Sequence, residues 1–189
     1  SINGDLVSLG GEVAHRLSRV LRLSLGDQVL LLDGSGNEYQ VRLSAFEKDV
    51  VKGRVEVVEQ GGGEPATKIT LYQGLLKGEK FQWVLQKGTE LGISAFVPMD
   101  CARSISRSNT HPNAHSNAQS NEKGTTSKLR RWEKIISEAA EQSGRSILPQ
   151  LHDPVPFGDA CRNLDGKGTS IIPWEEETIR GLRAVLEGD

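Results

Sequence analysis

Residues 129–149 read Leu-Arg-Arg-Trp-Glu-Lys-Ile-Ile-Ser-Glu-Ala-Ala-Glu-Gln-Ser-Gly-Arg-Ser-Ile-Leu-Pro. The apolar residues recur at intervals of three and four, which predicts a helix with one buried face and a charged opposite side. Gly144 follows the last periodic turn and Pro149 forbids continuation, so the helix should end there. Three polar side chains would share this helix exit as candidates for substrate contact: Gln142, Ser143 and Arg145. The pattern is also that of an ordinary amphipathic helix with a polar C-terminus, and that alternative stays open.

Length and composition are those of a globular chain. It has 189 residues, of which 36% are hydrophobic and 25% charged, enough for one domain or two small ones. No apolar run approaches the roughly 18 residues of a membrane span, and the first residues lack the basic and apolar regions of a secretion signal. Cys101 and Cys161 stand in no metal-ligand pattern. We therefore expect reduced thiols, a cytoplasmic location and no membrane partner.

Charge is unevenly distributed, although the net charge is only −2. Residues 1–66 hold 7 basic and 10 acidic side chains, residues 67–149 hold 12 and 7, and residues 150–189 hold 4 and 8. The net charge of the whole chain argues against a generally basic nucleic-acid binder. If the chain binds a polyanion, the contact should lie in the basic middle segment, with selected residues elsewhere.

Residues 1–63 are predicted to form a compact β-barrel domain. Three segments read as strands joined by turns: Gln28–Leu32, residues 39–45 and residues 51–57. A short helix over residues 11–22 precedes them, with Arg19 and Arg22 on the side that faces away from the core. These arginines form either a solvated helix face or an edge that contacts phosphate. The run Gly-Gly-Gly-Glu-Pro at 61–65 breaks every pattern, and we place the domain boundary there.

From residue 67 onwards strands and helices alternate, which predicts an α/β domain with a mostly parallel sheet over residues 67–189. Strands are expected at residues 69–72, 95–98 and 169–173, and helices at 81–91, 129–143 and 178–186.

Residues 106–127 interrupt this alternation. They contain no aliphatic side chain larger than alanine and no aromatic one, so we interpret them as a flexible surface insertion. His111 and His115 are spaced like helical metal ligands, but Pro112 and the Asn/Ser context argue against a metal site.

Common nucleotide-binding and hydrolase motifs are missing: the sequence has no G-x-G-x-x-G, P-loop, H-E-x-x-H or G-x-S-x-G. A spaced set of cations remains in the second half: Lys77, Lys80, Lys87, Arg103 and Arg145. If the loops that follow parallel strands gather at one sheet edge, these cations would line a single polyanion-binding crevice. Pro173-Trp174-Glu175 would close a later strand at that edge. There Trp174 either stacks on a flat ligand or simply packs, and Glu175 can accept a hydrogen bond.

Several blocks of sequence carry a family resemblance. They are His15-Arg-Leu-Ser-Arg-Val-Leu-Arg22 with Gly26-Asp27, Lys77-Gly-Glu-Lys80, Gln86-Lys-Gly-Thr-Glu-Leu-Gly92, Arg103-Ser104, Glu141-Gln-Ser-Gly-Arg145 and Pro149. In this order they resemble the bacterial 16S ribosomal RNA uridine N3-methyltransferases of the SPOUT superfamily. The resemblance covers essentially the whole chain.

The resemblance implies an N-terminal PUA-like β-barrel that holds RNA and a C-terminal α/β SPOUT methyltransferase domain with a trefoil knot. It also implies S-adenosylmethionine as cofactor, 16S ribosomal RNA or the small ribosomal subunit as partner, and a homodimer. The family's Gly-Pro-Glu-Gly-Gly and Arg-Ile-Leu-Arg-Thr-Glu-Thr-Ala segments form the knot and most of the cofactor pocket. They would follow the position of Asp189, so we expect the knot segment to be missing from this sequence.

Residue roles are carried over by position. Arg19 and Arg22 would be RNA contacts in the barrel. The RNA-facing set of the α/β domain would be Lys77, Lys80, Lys87, Arg103, Gln142, Ser143 and Arg145, and the border of the methyl-donor pocket would be Pro173, Trp174 and Glu175. For catalysis, Arg145 would hold a uracil carbonyl oxygen and favour the anionic imide, and Glu90 would accept the N3 proton.

Two other functions stay open on the sequence. The chain would be a non-catalytic RNA-binding protein or fragment if it lacks the cofactor pocket, or a scaffold or dimerisation protein if its basic stripe is merely solvated. Salt dependence of RNA binding separates them, because a phosphate-binding face loses affinity log-linearly with salt.

Overall fold

The computed structural model describes residues 1–102, 104, 118–162, 164, 168–173, 176–179 and 181–187, and only the backbone of residues 118–125. Its first half is a five-stranded antiparallel sheet in the order β1-β2-β5-β4-β3. The strands are β1 (Ile2–Asn3), β2 (Leu6–Gly10), β3 (Gln28–Leu32), β4 (Asn37–Phe46) and β5 (Val50–Gln60). Helix α1 (Gly11–His15) continues directly into a π-helical turn (Arg16–Val20).

Alternation of apolar and polar side chains gives this sheet its core. Leu43 and Val51 point inward and meet Ala14 and Leu17 from the helical segment. Glycine at position 53 allows the strands to approach closely, because a Cβ there would lie 2.4 Å from Cγ1 of Val41. The three strands predicted for this domain all form, as β3, β4 and β5, and β4 and β5 are longer than their apolar patterns indicated.

The second half is a parallel sheet covered by helices. Its strands are β6 (Thr70–Gly74), β7 (Ala95–Asp100), β8 (Gln150–Leu151) and β9 (Val155–Pro156), of which the two short ones, β8 and β9, were not predicted. Strands β6 and β8 flank β7, and β9 also pairs with β7. Helix α2 (Lys80–Glu90) connects β6 to β7, and helix α3 (Ala118–Ser143) precedes β8. The predicted architecture, an antiparallel β domain followed by a parallel α/β fold, is confirmed.

The two long helices pack on each other and on β7. Phe81 of α2 and Trp132 of α3 have ring centroids 4.5 Å apart, and Phe96 of β7 completes the buried cluster with Leu85 and Ile136. Trp132 is only 3% exposed, as expected for a residue on the apolar stripe of residues 129–140. The amphipathic pattern that predicted a buried helix face is therefore confirmed.

Three sequence predictions need correction. Helix α3 begins at Ala118, so residues 118–127 are helical rather than part of a flexible insertion. Once the apolar stripe anchors the helix, extension adds one hydrogen bond per residue, and this stretch contains no proline. Residues 169–173 form no strand, and the last helix, α5, covers Leu182–Glu187 instead of 178–186. A short helix α4 (Phe157–Arg162) was not predicted.

Some predictions fall on residues outside the described ranges: the insertion from 106 to 117 with His111 and His115, and Arg103, Trp174 and Glu175. Within the described ranges, no helix combines the length and apolar character needed to cross a membrane. The same residues contain no cluster of three or more His, Cys, Asp or Glu side chains arranged to hold a metal ion.

Candidate nucleic-acid interface

The four predicted cations that the structure describes lie at two opposite edges of the parallel sheet. Lys77 and Lys80 follow the carboxyl end of β6, and both are exposed. Helix α2 then returns antiparallel to the strands, so Lys87 in its last turn lies at the amino edge, just before β7. Arg145 precedes β8 and also lies at the amino edge. The expectation that these cations line one crevice is therefore wrong for Lys87 and Arg145, because a crossover helix carries its two ends to opposite edges.

Arg145 is buried, and each nitrogen of its guanidinium donates at least one hydrogen bond. Nη2 lies 2.6 Å and Nε 3.3 Å from the two carboxylate oxygens of Glu64. Nη1 donates to the carbonyl oxygens of Ile93 at 2.7 Å and Thr89 at 3.2 Å. The two side chains of the ion pair are 5% and 18% exposed. The prediction that Arg145 faces RNA has to be corrected in this respect: its charged group is turned away from solvent and holds together segments distant in sequence.

Gln142, Ser143 and Arg145 were expected to lie together at the end of helix α3. Instead, their side chains point in different directions. Helix α3 ends at Ser143, and Gly144 adopts the left-handed conformation with φ +68°, as the sequence predicted. Ser143 Oγ donates back to the carbonyl of Ala139 at 2.7 Å. Gln142 points into a surface cleft, whereas Arg145 turns inward. Because Gly144 changes the direction of the chain, the side chains before and after it point to different sides of the helix end.

Residues 145–148 also contact the turn between β3 and β4. We call this contact the junction; it joins residues 33–36 and 61–64 to residues 145–148. Ser35 and Ile147 form an antiparallel bridge, the Gly36 N–H donates to the Ser146 carbonyl at 3.0 Å, and the Gly61 N–H donates to the Gly36 carbonyl at 2.8 Å. The two sheets therefore share a hydrogen-bonded contact at the amino edge of the parallel sheet.

Glu64 accepts hydrogen bonds from both Arg145 and Ile147 and so stabilises the junction. Its role was not predicted from the sequence. The hydrogen bonds from Arg145 hold the pKa of this carboxyl below its ordinary value, against the opposing effect of burial, and the Ile147 N–H adds a further hydrogen bond at 3.1 Å. In the sequence Glu64 lies in a glycine-rich break that marks only a boundary. A lone acidic residue there carried no local signal, because its partner is 81 residues away.

Glu90, the predicted proton acceptor, forms an ion pair with Lys87. The Lys87 ammonium lies 2.7 Å and 3.0 Å from its two carboxylate oxygens, and both side chains are partly exposed. Neither residue meets Lys80, which begins the same helix. The catalytic role of Glu90 stays a prediction.

We call the helical segment of the barrel, residues 11–20, the barrel helix. A cleft of about 840 Å³ lies between this segment, α2 and α3. Its walls bring together two of the predicted RNA-facing residues, Lys80 and Gln142. The barrel residue that reaches it is Arg16, which was not among the predicted contacts although it belongs to the same basic block. Arg16 forms an ion pair with Glu141 of α3 at 2.6 Å.

Arg19 and Arg22 are exposed on the barrel but do not line this cleft. Arg19 borders a smaller depression of about 100 Å³ together with Glu47, Lys48 and Asp49. Arg22 is the non-glycine residue with a left-handed backbone, φ +53°, among the described residues. Their roles as RNA contacts stay predictions.

The predicted donor-pocket residues are described only in part. Pro173 lies on an exposed segment without helix or strand, and its two companions Trp174 and Glu175 fall outside the described residues. The role of these three residues stays a prediction, and no catalytic step is derived from them.

Comparison with known proteins agrees with this architecture. Residues 63–187 match the family model of the RNA methyltransferase domain, and residues 9–56 match that of the RNA methyltransferase PUA domain. The first match contains both Glu64 and Arg145, and the second contains Arg16, Arg19 and Arg22.

Individual relatives extend the match over nearly the whole chain. The ribosomal RNA small subunit methyltransferase E of Bacillus subtilis is 32% identical over 92% of this chain, which spans 63% of the Bacillus protein. A methyltransferase E from Neisseria gonorrhoeae, solved with S-adenosylmethionine, is 26% identical over 87% of this chain and 63% of its own, with a TM-score of 0.72.

A methyltransferase from Legionella pneumophila, also solved with S-adenosylmethionine, gives 28% identity, the same two coverages and a TM-score of 0.71. The chain thus spans about three fifths of the length of these proteins. Its sequence motifs, its two sheets and both family matches lead to one conclusion: this chain belongs to the RNA methyltransferase family that includes the small-subunit ribosomal RNA methyltransferases E.

Proposed function

We propose that this chain takes part in the S-adenosylmethionine-dependent methylation of N3 of a uridine in 16S ribosomal RNA. The observation that carries the proposal is the RNA methyltransferase domain match over residues 63–187, preceded by the PUA domain match. Two structures of the same fold that contain S-adenosylmethionine support the choice of methyl donor. The exposed cations Lys77 and Lys80 at the carboxyl edge support an RNA partner, because in parallel α/β sheets ligands bind outside that edge.

The chemistry asks the protein for positioning and for charge control. S-adenosylmethionine supplies an electrophilic methyl group when bound. The chain has to hold the uridine in line with that group and to accept the N3 proton. In this proposal Lys77 and Lys80 hold phosphates at the carboxyl edge. Glu90 ends helix α2 at the amino edge, where it is paired with Lys87, so we assign the N3 proton to no residue of the described chain.

Arg145 acts in this proposal as a positioning residue. It fastens Glu64 to the carbonyl groups of Thr89 and Ile93, at the entry to β7. A direct contact of its guanidinium with uracil would first require the buried ion pair to open, at the cost of leaving Glu64 without its partner.

The proposal includes three further features. The RNA-holding barrel covers residues 1–63 and the methyltransferase domain covers residues 67–189. The protein works as a homodimer. It acts in the cytoplasm, where small ribosomal subunits are available and where its free thiols at Cys101 and Cys161 would stay reduced.

The test combines donor binding with product analysis. Saturable binding of S-adenosylmethionine in a calorimetric titration would support the proposal, and it requires the donor-pocket segments that the family resemblance places after the position of Asp189. Incubation with small ribosomal subunits that lack the modification, followed by mass spectrometry of the nucleosides, is expected to give 3-methyluridine. Methylation at another atom would overturn the N3 assignment. RNA binding by a folded chain without donor binding would identify an RNA-binding module without methyltransferase activity.

A further inference from the structure

We propose that the cleft between the barrel helix, α2 and α3 binds an unpaired nucleotide of the RNA, with its base stacked on Trp83 and its phosphate held by Lys80. None of the residues described as lining this cleft belongs to the junction or to the set predicted to border the donor pocket. The inference rests on the proposed function, because it assumes that the partner is RNA.

An exposed aromatic ring is the first observation. Trp83 lies on the outer side of α2 and is 63% exposed, whereas Trp132 of α3 is buried. Burying an indole normally stabilises a protein, so a large exposed indole in a concave site is a surface on which a planar ligand can stack. Stacking on aromatic side chains is the common way in which proteins hold unpaired bases.

The charge of the cleft wall is the second observation. Three carboxylates line it, and each has a cation nearby: Glu141 with Arg16 at 2.6 Å, Glu138 with Lys134 at 3.8 Å and Glu79 with Arg131 at 3.9 Å. Lys80 lines the same wall and makes no ion pair within the described part of the chain. Arg131 and Lys134 do not themselves line the cleft, so its wall holds two cations and three carboxylates. Lys80 is the wall cation that is available for a phosphate, three residues before Trp83 and on the same face of the helix.

The remaining polar groups are amides. Gln82, Gln86 and Gln142 line the cleft, and each carboxamide offers two donors and one acceptor. This combination suits the edge of a nucleobase, which presents donors and acceptors side by side. The cleft volume of about 840 Å³ lies within the range of small-ligand sites and accommodates a nucleotide.

A protein partner fits this lining less well. Apart from Trp83, the wall residues that the structure describes include two apolar ones, Ile135 and Ala139, against five charged side chains and three amides. The centre of a protein interface is depleted in charged residues. The composition therefore favours a polar, aromatic ligand whose anionic group lies at Lys80.

The experiment measures binding of a fluorescently labelled single-stranded oligouridylate to the full chain by fluorescence anisotropy. Trp83→Ala is expected to weaken binding about 5- to 150-fold, which corresponds to the loss of one stacked base. Trp83→Phe, which keeps a stacking surface, should stay within about twofold of the unchanged protein. Leu30→Ala, which removes an exposed side chain of the barrel sheet outside the cleft, is the matched control and should have no effect.

Two further readouts identify the base contact. An oligomer with the same phosphates but without bases should bind the unchanged protein and Trp83→Ala alike, and the salt dependence should be the same for both proteins. Unlabelled oligouridylate should quench tryptophan emission in the unchanged protein, and the quenching should be weaker in Trp83→Phe.

The outcomes separate this inference from the proposed function. If Trp83→Ala binds oligouridylate as tightly as the unchanged protein, the nucleotide site is overturned while RNA binding stands. If Trp83→Ala instead converts a dimer to a monomer in sedimentation and leaves RNA affinity unchanged, the cleft is an interface between copies. Absence of salt-sensitive RNA binding by the unchanged, folded chain overturns both the site and the proposed function.

Discussion

Arg145 and Glu64 form a buried, two-pronged ion pair, with Nη2 of the arginine 2.6 Å from Oε2 of the glutamate. It connects the start of the methyltransferase segment to the exit of helix α3, and the arginine also holds two carbonyl groups beside β7. Loss of one partner leaves the other charge desolvated and unpaired, which is more costly than the net stabilisation that the pair provides.

Arg145→Ala is expected to lower the free energy of unfolding by about 3 kcal/mol, at the low end for a broken buried pair because Glu64 keeps some solvent contact. Arg145→Lys should recover only part of this loss, because an ammonium cannot make the two parallel hydrogen bonds. Urea unfolding followed by circular dichroism measures both. Lys52→Ala, which removes an exposed ion pair to Glu47, should cost less than about 1 kcal/mol and serves as the control. Equal effects of the two alanine variants would contradict a structural role for Arg145.

Acid should weaken the junction through Glu64. Its pKa in the folded protein lies below the ordinary value of 4.5, so the stabilisation is fully present above that value and is lost as the pH falls through the folded pKa. Glu64→Gln removes this titration. The difference in unfolding free energy between the unchanged protein and Glu64→Gln should therefore be constant near neutral pH and shrink below about pH 4.5. A difference that stays constant into acid would show that the ion pair contributes no titratable stability.

Two adjacent glycines should differ sharply in their tolerance of a methyl group. A Cβ at Gly61 would lie 2.2 Å from Oγ and 2.4 Å from Cβ of Ser146, a residue only 1% exposed, whereas a Cβ at Gly62 would meet no atom within 4 Å. Gly61→Ala should destabilise the protein by about 1–3 kcal/mol through overpacking, and Gly62→Ala should have little effect. Thermal unfolding of both variants tests the comparison.

Ser146→Gly supplies the control for that overpacking. It removes the side-chain atoms with which the methyl group added at position 61 would collide, so the double variant should regain part of the stability that Gly61→Ala loses. If the two substitutions are simply additive, the close approach of these residues does not determine the effect.

Among the cations of the parallel sheet, RNA binding should depend on those at the carboxyl edge. Lys80→Ala is expected to weaken binding and to reduce the slope of log affinity against log salt by about 0.7–0.9, the effect of one lost phosphate contact. Lys77→Ala should act in the same way. Lys87→Ala should leave the slope unchanged, since its ammonium lies at the opposite edge and is paired with Glu90. Anisotropy titrations at several salt concentrations measure these slopes. An equal loss for Lys80 and Lys87 would place the RNA along the whole helix rather than at its start.

Local sequence was a good guide to the helices and strands. The three- and four-residue spacing from Leu129 to Ala140 predicted which face of α3 is buried, and Gly144 predicted where the helix ends. Alternation predicted the barrel strands, and the change of rhythm after the glycine run predicted the parallel sheet. These features depend on neighbours within a few positions, so a single sequence contains them.

The candidate site was predicted less well. Arg145 was expected to contact RNA because it follows a helix and belongs to one of the sequence blocks that carry the family resemblance. Neither its charge nor its position in the chain indicates whether the side chain faces solvent or the interior. Its partner Glu64 lies in a segment with no periodic signal, and only the packed structure brings the two together. Arg16 likewise reaches the cleft through its ion pair with Glu141 of α3, a residue 125 positions away in the chain.

The sequence alone therefore determined the helix that ends at Gly144, the two kinds of sheet and the family, because periodicity, capping and short motifs are local properties. Tertiary structure decided which cations share an edge and which charge is buried. A crossover helix sends Lys80 and Lys87 to opposite edges of the sheet, and a left-handed residue sends Gln142 outward and Arg145 inward. Such directions depend on contacts between segments far apart in the chain, and no local pattern records them.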